Sequence, residues 1–262
     1  MRNDYKDVFL KIEESLRRYS KLSNAEFDEV MMQFKEKTFR PRLDNEYFEI
    51  LRDIVFYSGF KATTVDSKKQ TIIKNLPDYR QVAAYGEEEK QRILSDTSMI
   101  KNRDKVEAII NNAKTIRDIV DHHGSFQNYL DGFNPEDSFE NLMLLKEELQ
   151  YRFDYIGNIT VYHFLTDIGL NVLKPDRVVT RVFQRLGFIE DGKQLLKTVI
   201  QGRKFAAATD YSIRYIDIVF VKYGQSGKTA DFKLDDGICL EKNPKCYLCV
   251  VNDLCKYPHK QV

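Results

Sequence analysis

The stretch Cys239-Leu-Glu-Lys-Asn-Pro-Lys-Cys246-Tyr-Leu-Cys249-Val-Val-Asn-Asp-Leu-Cys255 contains all four cysteines of the chain. Gaps of six, two and five residues separate them. Clustered thiols with a two-residue gap are typical of a metal site, either a tetrahedral zinc or an iron–sulfur cluster. Disulfides are disfavoured, because a chain of 262 residues can bury a core without them. The spacing alone leaves zinc and iron–sulfur equally open.

The overall composition of the chain favours neither nucleic acid nor a membrane as its partner. The net charge is +1 and the isoelectric point is about 7.6, so a nucleic-acid binder would have to concentrate its 41 basic residues on one face. No run of the sequence approaches the eighteen or so apolar residues of a membrane span. The charged N-terminus lacks the apolar segment of a signal peptide. We therefore expect an intracellular protein with no membrane partner.

Apolar residues recur at helical spacing through most of the chain, and alternating strand patterns are scarce. The pattern predicts an all-α fold. Gly59 and Gly124 follow two of the periodic segments, as glycine does at helix C-termini. The main predicted helices cover residues 4–19, 24–36, 45–58, 64–73, 106–123, 139–152, 175–186 and 204–223.

The cysteine spacing resembles that of endonuclease III and the mismatch adenine glycosylases, members of the helix-hairpin-helix DNA glycosylase superfamily. The resemblance implies a 4Fe-4S cluster on Cys239, Cys246, Cys249 and Cys255, with zinc as the less favoured alternative. It also implies two helical lobes, one of residues 45–165 and one of residues 1–44 plus 166–262 with the cluster loop. The implied partner is double-stranded DNA containing a lesion, bound by a monomer.

The segment Phe153-Asp-Tyr-Ile-Gly157-Asn-Ile-Thr-Val resembles the hairpin of that superfamily. A glycine-containing turn before a helix exposes backbone N–H groups that can bind a phosphate. Only the second glycine, Gly157, is kept, and Tyr155 stands where the first is usual. The resemblance implies DNA contacts at Tyr155, Gly157 and Ile159; an ordinary corner between two helices is the alternative.

The segment Leu173-Lys-Pro-Asp176-Arg-Val-Val-Thr-Arg-Val places an aspartate at the start of an apolar helix. By itself the pattern is that of a helix-capping residue. The resemblance implies instead that Asp176, 19 residues beyond Gly157, is the catalytic carboxylate. Enzymes of the superfamily that also cleave the DNA backbone carry a lysine two residues after the second hairpin glycine. Here Ile159 stands at that position, or Asn158 if the alignment shifts by one residue. Neither can form a Schiff base with the sugar, which predicts a monofunctional glycosylase.

Two further stretches, Phe56-Tyr-Ser-Gly-Phe-Lys-Ala-Thr-Thr-Val and Met99-Ile-Lys-Asn-Arg-Asp-Lys-Val, resemble 3-methyladenine glycosylase I. The zinc ligands of that subfamily have no evident counterparts here. The resemblance implies an alkylated purine as substrate, with Tyr57 and Phe60 as base-pocket residues and Lys61 as a phosphate contact. Core packing is the alternative for Tyr57.

Three functional hypotheses follow. The first is a monofunctional DNA glycosylase of base excision repair that flips out and excises a damaged, alkylated purine. The second is a glycosylase for another lesion or mismatch, such as an oxidised pyrimidine or a mispaired thymine or adenine. The third is a non-catalytic DNA-binding iron–sulfur protein.

Overall fold

A computed structural model describes residues 4–35, 39–229 and 231–257. Within these residues the backbone is helical, and its extended pairing is limited to an isolated bridge between Thr229 and Leu234. The predicted all-α class is confirmed. The chain forms two compact units, one of residues 39–170 and one of the segments before and after them. The two lobes with the boundaries 45–165 and 1–44 plus 166–262 stay a prediction.

The helices are numbered in chain order. The unit of residues 39–170 contains α3 (Asp44–Tyr57), α4 (Ala62–Asp66), α5 (Lys69–Asn75), α6 (Tyr79–Ala83), α7 (Glu87–Ser95), α8 (Arg103–His123), α9 (Phe126–Asp131), α10 (Phe139–Arg152) and α11 (Thr160–Ile168). The terminal unit contains α1 (Tyr5–Tyr19), α2 (Asn24–Lys35), α12 (Arg177–Arg185), α13 (Leu195–Thr209), α14 (Ile213–Gly224) and two 3₁₀ turns, Cys246–Leu248 and Asn252–Leu254.

Helix α8 is the central element of the unit of residues 39–170, where it packs against α3, α6, α7 and α9. Its apolar residues recur every three or four positions, so that Ile109, Ala113 and Ile116 are fully buried. The Asn102 side chain caps its N-terminus, and Gly124 ends it with a φ of 80°. A left-handed φ of this kind is what glycine adopts without strain. The predicted helix and its glycine end are both confirmed.

The terminal unit has an aromatic core built from distant parts of the sequence. The rings of Phe183 and Phe220 lie 4.8 Å apart, and Phe205 lies 4.9 Å from Phe220. Phe9 of α1 contacts the same group from the N-terminal side. Edge-to-face aromatic pairs add specific geometry to the burial of large apolar area. This core therefore fixes α1, α12, α13 and α14 against one another.

Two predicted helices are interrupted. The predicted helix of residues 204–223 is wrong, because Asp210 adopts a left-handed φ of 61° that ends α13, and the Ser212 hydroxyl caps α14. The predicted helix of residues 64–73 is divided between α4 and α5. The predicted helix of residues 24–36 matches α2, although residue 36 lies outside the described residues.

No helix among the described residues is long and apolar enough to span a lipid bilayer.

Candidate active site and cysteine cavity

Asp176 caps the N-terminus of α12. One carboxylate oxygen, Oδ1, accepts hydrogen bonds from the backbone N–H groups of Val178 (2.8 Å) and Val179 (3.0 Å). The other oxygen, Oδ2, has no hydrogen-bond donor within the described part of the chain. The side chain is partly buried. One carboxylate oxygen is thus held in place by the helix, and the other makes no hydrogen bond to the described residues.

The turn before Asp176 is fastened to α14. The backbone N–H of Lys174 donates to Oδ1 of Asp217 at 3.3 Å, and the Asp176 N–H donates to the Lys174 carbonyl at 2.8 Å. Asp217 is 2% exposed, and its Oδ2 accepts from Arg214 at 2.6 Å. Burial raises the pKa of Asp217 to about 6, an effect that Arg214 opposes and that the negative charge of Asp176 reinforces.

In the hairpin between α10 and α11, the residue at the position of the usual first glycine is Tyr155, and its backbone is left-handed. Tyr155 adopts a φ of 62°, a conformation that costs a residue with a Cβ about 1–2 kcal/mol. Its ring lies 4.7 Å from the ammonium of Lys105, a cation–π contact worth about 0.5–2 kcal/mol. This contact offsets the backbone strain, which explains how tyrosine is accommodated at this position.

The side chain of Asn112, on α8, holds the hairpin by binding the backbone of Asp154. Its side-chain oxygen accepts the Asp154 N–H at 2.8 Å, and its amide nitrogen donates to the Asp154 carbonyl at 3.0 Å. Asn112 is 1% exposed. The Thr160 hydroxyl accepts the Gly157 N–H at 2.7 Å, which closes the turn.

The start of α11 presents free backbone donors. The N–H groups of Asn158 and Ile159 have no acceptor within the described residues. A Cβ added to Gly157 would meet only the Thr160 hydroxyl, at 4.0 Å. Gly157 has no left-handed φ, so neither crowding nor backbone conformation within the protein demands a glycine there. A bare backbone with free N–H groups is instead suited to close approach by an anion.

Lys105 joins the hairpin to the loop after α3. Its ammonium donates to the carbonyls of Val55 and Ser58, the latter at 2.6 Å, and lies 5.3 Å from the Phe60 ring centre. Burial lowers the pKa of Lys105. Phe60 and Tyr155 therefore share a cation, and the structure brings these two predicted site residues together.

The other predicted residues of this loop differ in their surroundings. Tyr57 is partly buried and its hydroxyl donates to Asp66, and burial is the main reason that its pKa is raised. Lys61 is exposed at the N-terminal cap of α4. The residue that precedes Tyr57, Phe56, is fully buried in the core. Tyr57 thus has a polar partner beside the loop rather than a core position.

The four cysteines line one cavity. Its lining consists of Arg185, Ile238, Cys239, Pro244, Cys246, Cys249, Cys255 and Tyr257. Within the described residues, no three His, Cys, Asp or Glu side chains are arranged to hold a single metal ion. Four thiols around one cavity are a donor set that a metal centre such as an iron–sulfur cluster uses.

Hydrogen-bond donors face two of these sulfurs. Arg185 donates to Sγ of Cys239 at 3.3 Å, and the Tyr223 hydroxyl donates to Sγ of Cys249 at 3.1 Å. Burial raises the pKa values of Cys249 and Cys255. Metal binding removes such thiol protons, and donors to sulfur stabilise the resulting thiolates. The donor set therefore fits the group that the sequence implies.

The sequence model of the methyladenine glycosylase family matches residues 24–179, more than half of the chain. The chain belongs to the methyladenine glycosylase family. It is a DNA glycosylase of the base-excision type, an enzyme that hydrolyses an N-glycosidic bond. The matched region includes the hairpin and Asp176.

Two solved structures, of endonuclease III and of an 8-oxoguanine glycosylase, confirm the helix-hairpin-helix glycosylase fold of this family member. A trapped covalent complex of endonuclease III with DNA is similar at 18% identity and a TM-score of 0.54, covering 87% of this chain and 92% of that chain. The 8-oxoguanine DNA glycosylase of Thermotoga maritima is similar at 20% identity and a TM-score of 0.53, covering 81% and 95%. The 3-methyladenine DNA glycosylase I of Staphylococcus aureus matches at 21% identity and a TM-score of 0.43, covering 56% and 87%.

Sequence reasoning missed the residues that hold these turns in the glycosylase. Asn112, Lys105 and Asp217 lie on helices distant in sequence from the turns that they contact. A polar residue on an otherwise apolar helix face was the one available signal. Such a residue is costly to bury without a partner, which predicts that a partner exists but not which one.

Proposed function

We propose that this family member is a monofunctional DNA glycosylase that excises an alkylated purine, with Asp176 as its catalytic carboxylate. The carrying observation is that Asp176 lies in the segment that resembles the catalytic stretch of the superfamily, within the region that the family model matches, and has its Oδ1 held by the cap of α12 and its Oδ2 without a donor in the described residues. Capping occupies one carboxylate oxygen and leaves the second oriented towards a reacting group.

The chemistry explains why a carboxylate is needed. Cleavage of an N-glycosidic bond develops positive charge on the deoxyribose, as in other oxocarbenium-like reactions. A fixed carboxylate oxygen stabilises that charge or accepts a proton from the attacking water. Because the helix already orients Asp176, little reorganisation is needed when the charge develops.

The residues at the hairpin support the monofunctional assignment. Ile159 caps α11 at the position of the lysine in bifunctional enzymes. Lys105 is bound to two carbonyls and two aromatic rings, so its amine is not free to attack a sugar. Borohydride trapping of a covalent DNA adduct that Lys174→Ala abolishes would overturn this part of the proposal.

The hairpin supports DNA binding. The free N–H groups of Asn158 and Ile159 and the bare backbone of Gly157 form a surface suited to one phosphate group. Contacts of this type position the DNA without reading its sequence. We expect Tyr155, 39% exposed beside them, to lie against the DNA as well.

The alkylated-purine assignment is supported by the family of the chain and by the aromatic side chains of Tyr57 and Phe60. One observation favours the second candidate, a glycosylase for an uncharged lesion. The ammonium of Lys105 already lies on Phe60, and a fixed cation repels a cationic base at that ring. A neutral oxidised or mispaired base would not be repelled in this way.

A panel of lesion-bearing duplexes distinguishes these candidates. Wild type, Asp176→Asn and Asp4→Asn are incubated with each duplex under single-turnover conditions, and abasic sites are cleaved with alkali. Asp4 is a matched control, since its Oδ1 caps α1 through two backbone N–H groups in the same way. Asparagine caps helices as well as aspartate does, so loss of activity in Asp176→Asn alone identifies a chemical role.

The outcomes are distinct. We expect Asp176→Asn to lower the rate by about 10²–10⁴, the usual contribution of such a group. Unchanged activity in Asp176→Asn refutes the aspartate assignment, preference for oxidised or mismatched bases selects the second candidate, and inactivity of wild type on every lesion favours a non-catalytic binding protein.

We further propose that Cys239, Cys246, Cys249 and Cys255 hold a 4Fe-4S cluster. The four thiols line one cavity, and Arg185 and Tyr223 donate to two of the sulfurs. We expect a brown protein with about four iron atoms per chain, and loss of colour in Cys249→Ser. A colourless protein with stoichiometric zinc overturns this assignment.

A further inference from the structure

Asp217 is a buried charged group that the reaction scheme above does not use. It lies on α14 with 2% of its surface exposed, and burying a carboxylate is costly unless it is paired. Arg214, one turn earlier on the same helix, supplies the pairing at 2.6 Å. The pair satisfies only Oδ2, which leaves Oδ1 directed to another part of the chain.

That part is the turn that carries Asp176. The Lys174 N–H donates to Oδ1 of Asp217 at 3.3 Å, and Pro175, which is buried, has no N–H to donate. Among the described residues, the only other acceptor of a backbone N–H of this short turn is internal: the Asp176 N–H donates to the Lys174 carbonyl. The bond to Asp217 is therefore what connects the turn to the body of α14.

We infer that Asp217 is a positioning residue for Asp176, holding the Lys174–Asp176 turn so that the free carboxylate oxygen stays in its reactive orientation. This inference rests on the proposed catalytic role of Asp176. A displacement of about 1 Å at a reacting group can cost as much as a hundredfold in rate. A residue that fixes the turn therefore affects the rate without touching the DNA.

The charge of Asp217 gives this role a measurable signature. The charges that act on its carboxyl group are those of Arg214, Asp176 and Lys174, and its pKa is about 6. As the pH falls through 6, Asp217 takes up a proton, the Lys174 N–H loses a charged acceptor, and Arg214 loses its counter-ion. The excision rate should fall with it, well above the pH at which an ordinary aspartate titrates.

The test is the pH profile of single-turnover excision between pH 5 and 8 for wild type, Asp217→Asn and Glu13→Gln. Asparagine resembles the protonated carboxyl, so Asp217→Asn should have the low rate of acidified wild type at every pH, about tenfold or more below wild type at pH 7.5. Its affinity for a duplex with an abasic-site analogue should be unchanged. Glu13 is the matched control, a buried acid near Arg17 that accepts from Tyr215 and lies outside this turn; its profile should be that of wild type.

A wild-type rate in Asp217→Asn, or an acid limb near pH 6 that survives the substitution, overturns the inference. If wild type is inactive on every lesion, the proposed function has failed, and amide hydrogen exchange at Lys174 decides the structural part separately. Loss of the acceptor in Asp217→Ala should then speed exchange of that N–H about tenfold relative to wild type, with Asp217→Asn, whose neutral oxygen is a weaker acceptor, between the two. Equal protection in wild type and Asp217→Ala overturns the positioning role.

Discussion

Two turns of this glycosylase are each held by a side chain from a helix distant in sequence, and the two side chains differ in charge. The hairpin turn is held by Asn112 of α8, whose neutral amide binds both the N–H and the carbonyl of Asp154. The turn before Asp176 is held by Asp217 of α14, a charged carboxylate that binds one N–H. A neutral amide keeps its hydrogen bonds at any pH, whereas a carboxylate changes with its proton. The hairpin, the proposed DNA-binding turn, should therefore be insensitive to pH, and the turn before Asp176, the proposed catalytic turn, should be sensitive to it.

The largest expected effect is on the pH dependence of stability. The pKa of Asp217 is raised from its ordinary value of 3.8 to about 6, so the folded state binds this proton more tightly than the unfolded state. Its contribution to stability is present below about pH 4 and lost as the pH rises through 6. Relative to Asp217→Asn, wild type should lose on the order of 3 kcal/mol of unfolding free energy between pH 4 and pH 7. Urea denaturation at both pH values measures the difference, and a constant difference contradicts the prediction.

Substitutions at the hairpin turn, which is held by the neutral Asn112, should change stability by an amount that does not depend on pH. Asn112→Ala removes two hydrogen bonds from the Asp154 backbone, and we expect a loss of about 2–3 kcal/mol that is the same at pH 5 and pH 8. Asn111→Ala is the control, because the adjacent exposed Asn111 binds only the Asp154 side chain. It should cost about 0.5 kcal/mol or less. Equal losses in the two variants would show that the backbone contact is not what matters.

Packing offers a way to disturb the catalytic turn without changing its charge. A Cβ on Gly202 of α13 would lie 2.1 Å from Cδ2 of Leu173, the residue before Lys174. Gly202→Ala should therefore cost about 1–3 kcal/mol and slow excision at every pH without moving the acid limb. Gly132→Ala, where the nearest atom is at 3.4 Å, is the control and should leave both quantities close to wild type. A shifted acid limb in Gly202→Ala would mean that packing and charge are not separable here.

The smallest effect concerns the strain at Tyr155. Tyr155→Gly relieves the left-handed φ but loses the ring contact with Lys105, so the net change should lie within about 1 kcal/mol. Tyr155→Ala loses the ring and keeps the strain, and it should be less stable than the glycine variant by about 1 kcal/mol. Thermal denaturation of the pair gives the difference directly. Identical stabilities would show that the backbone at residue 155 is not strained.

Much of the fold was predictable because it depends on local pattern. The period of apolar residues located α8, and Gly124 gave its end. The break at Asp210 was missed because an aspartate in the left-handed region has no strong local signature, unlike glycine. Within the site, the cysteine spacing and the Asp176 segment could be recognised, but Lys105 could not be connected to Tyr155, which lies 50 residues further along the chain.

The sequence by itself determined the helical class, the family, and the residue types available for chemistry, because periodicity, spacing and side-chain identity are properties of the chain. Tertiary structure decided which atoms are free to act. The partnerless oxygen of Asp176, the cation shared by Phe60 and Tyr155, and the burial of Asp217 all arise when distant helices pack together. Desolvation and hydrogen bonding across such contacts set charge and orientation, and neither can be computed from a residue and its sequence neighbours.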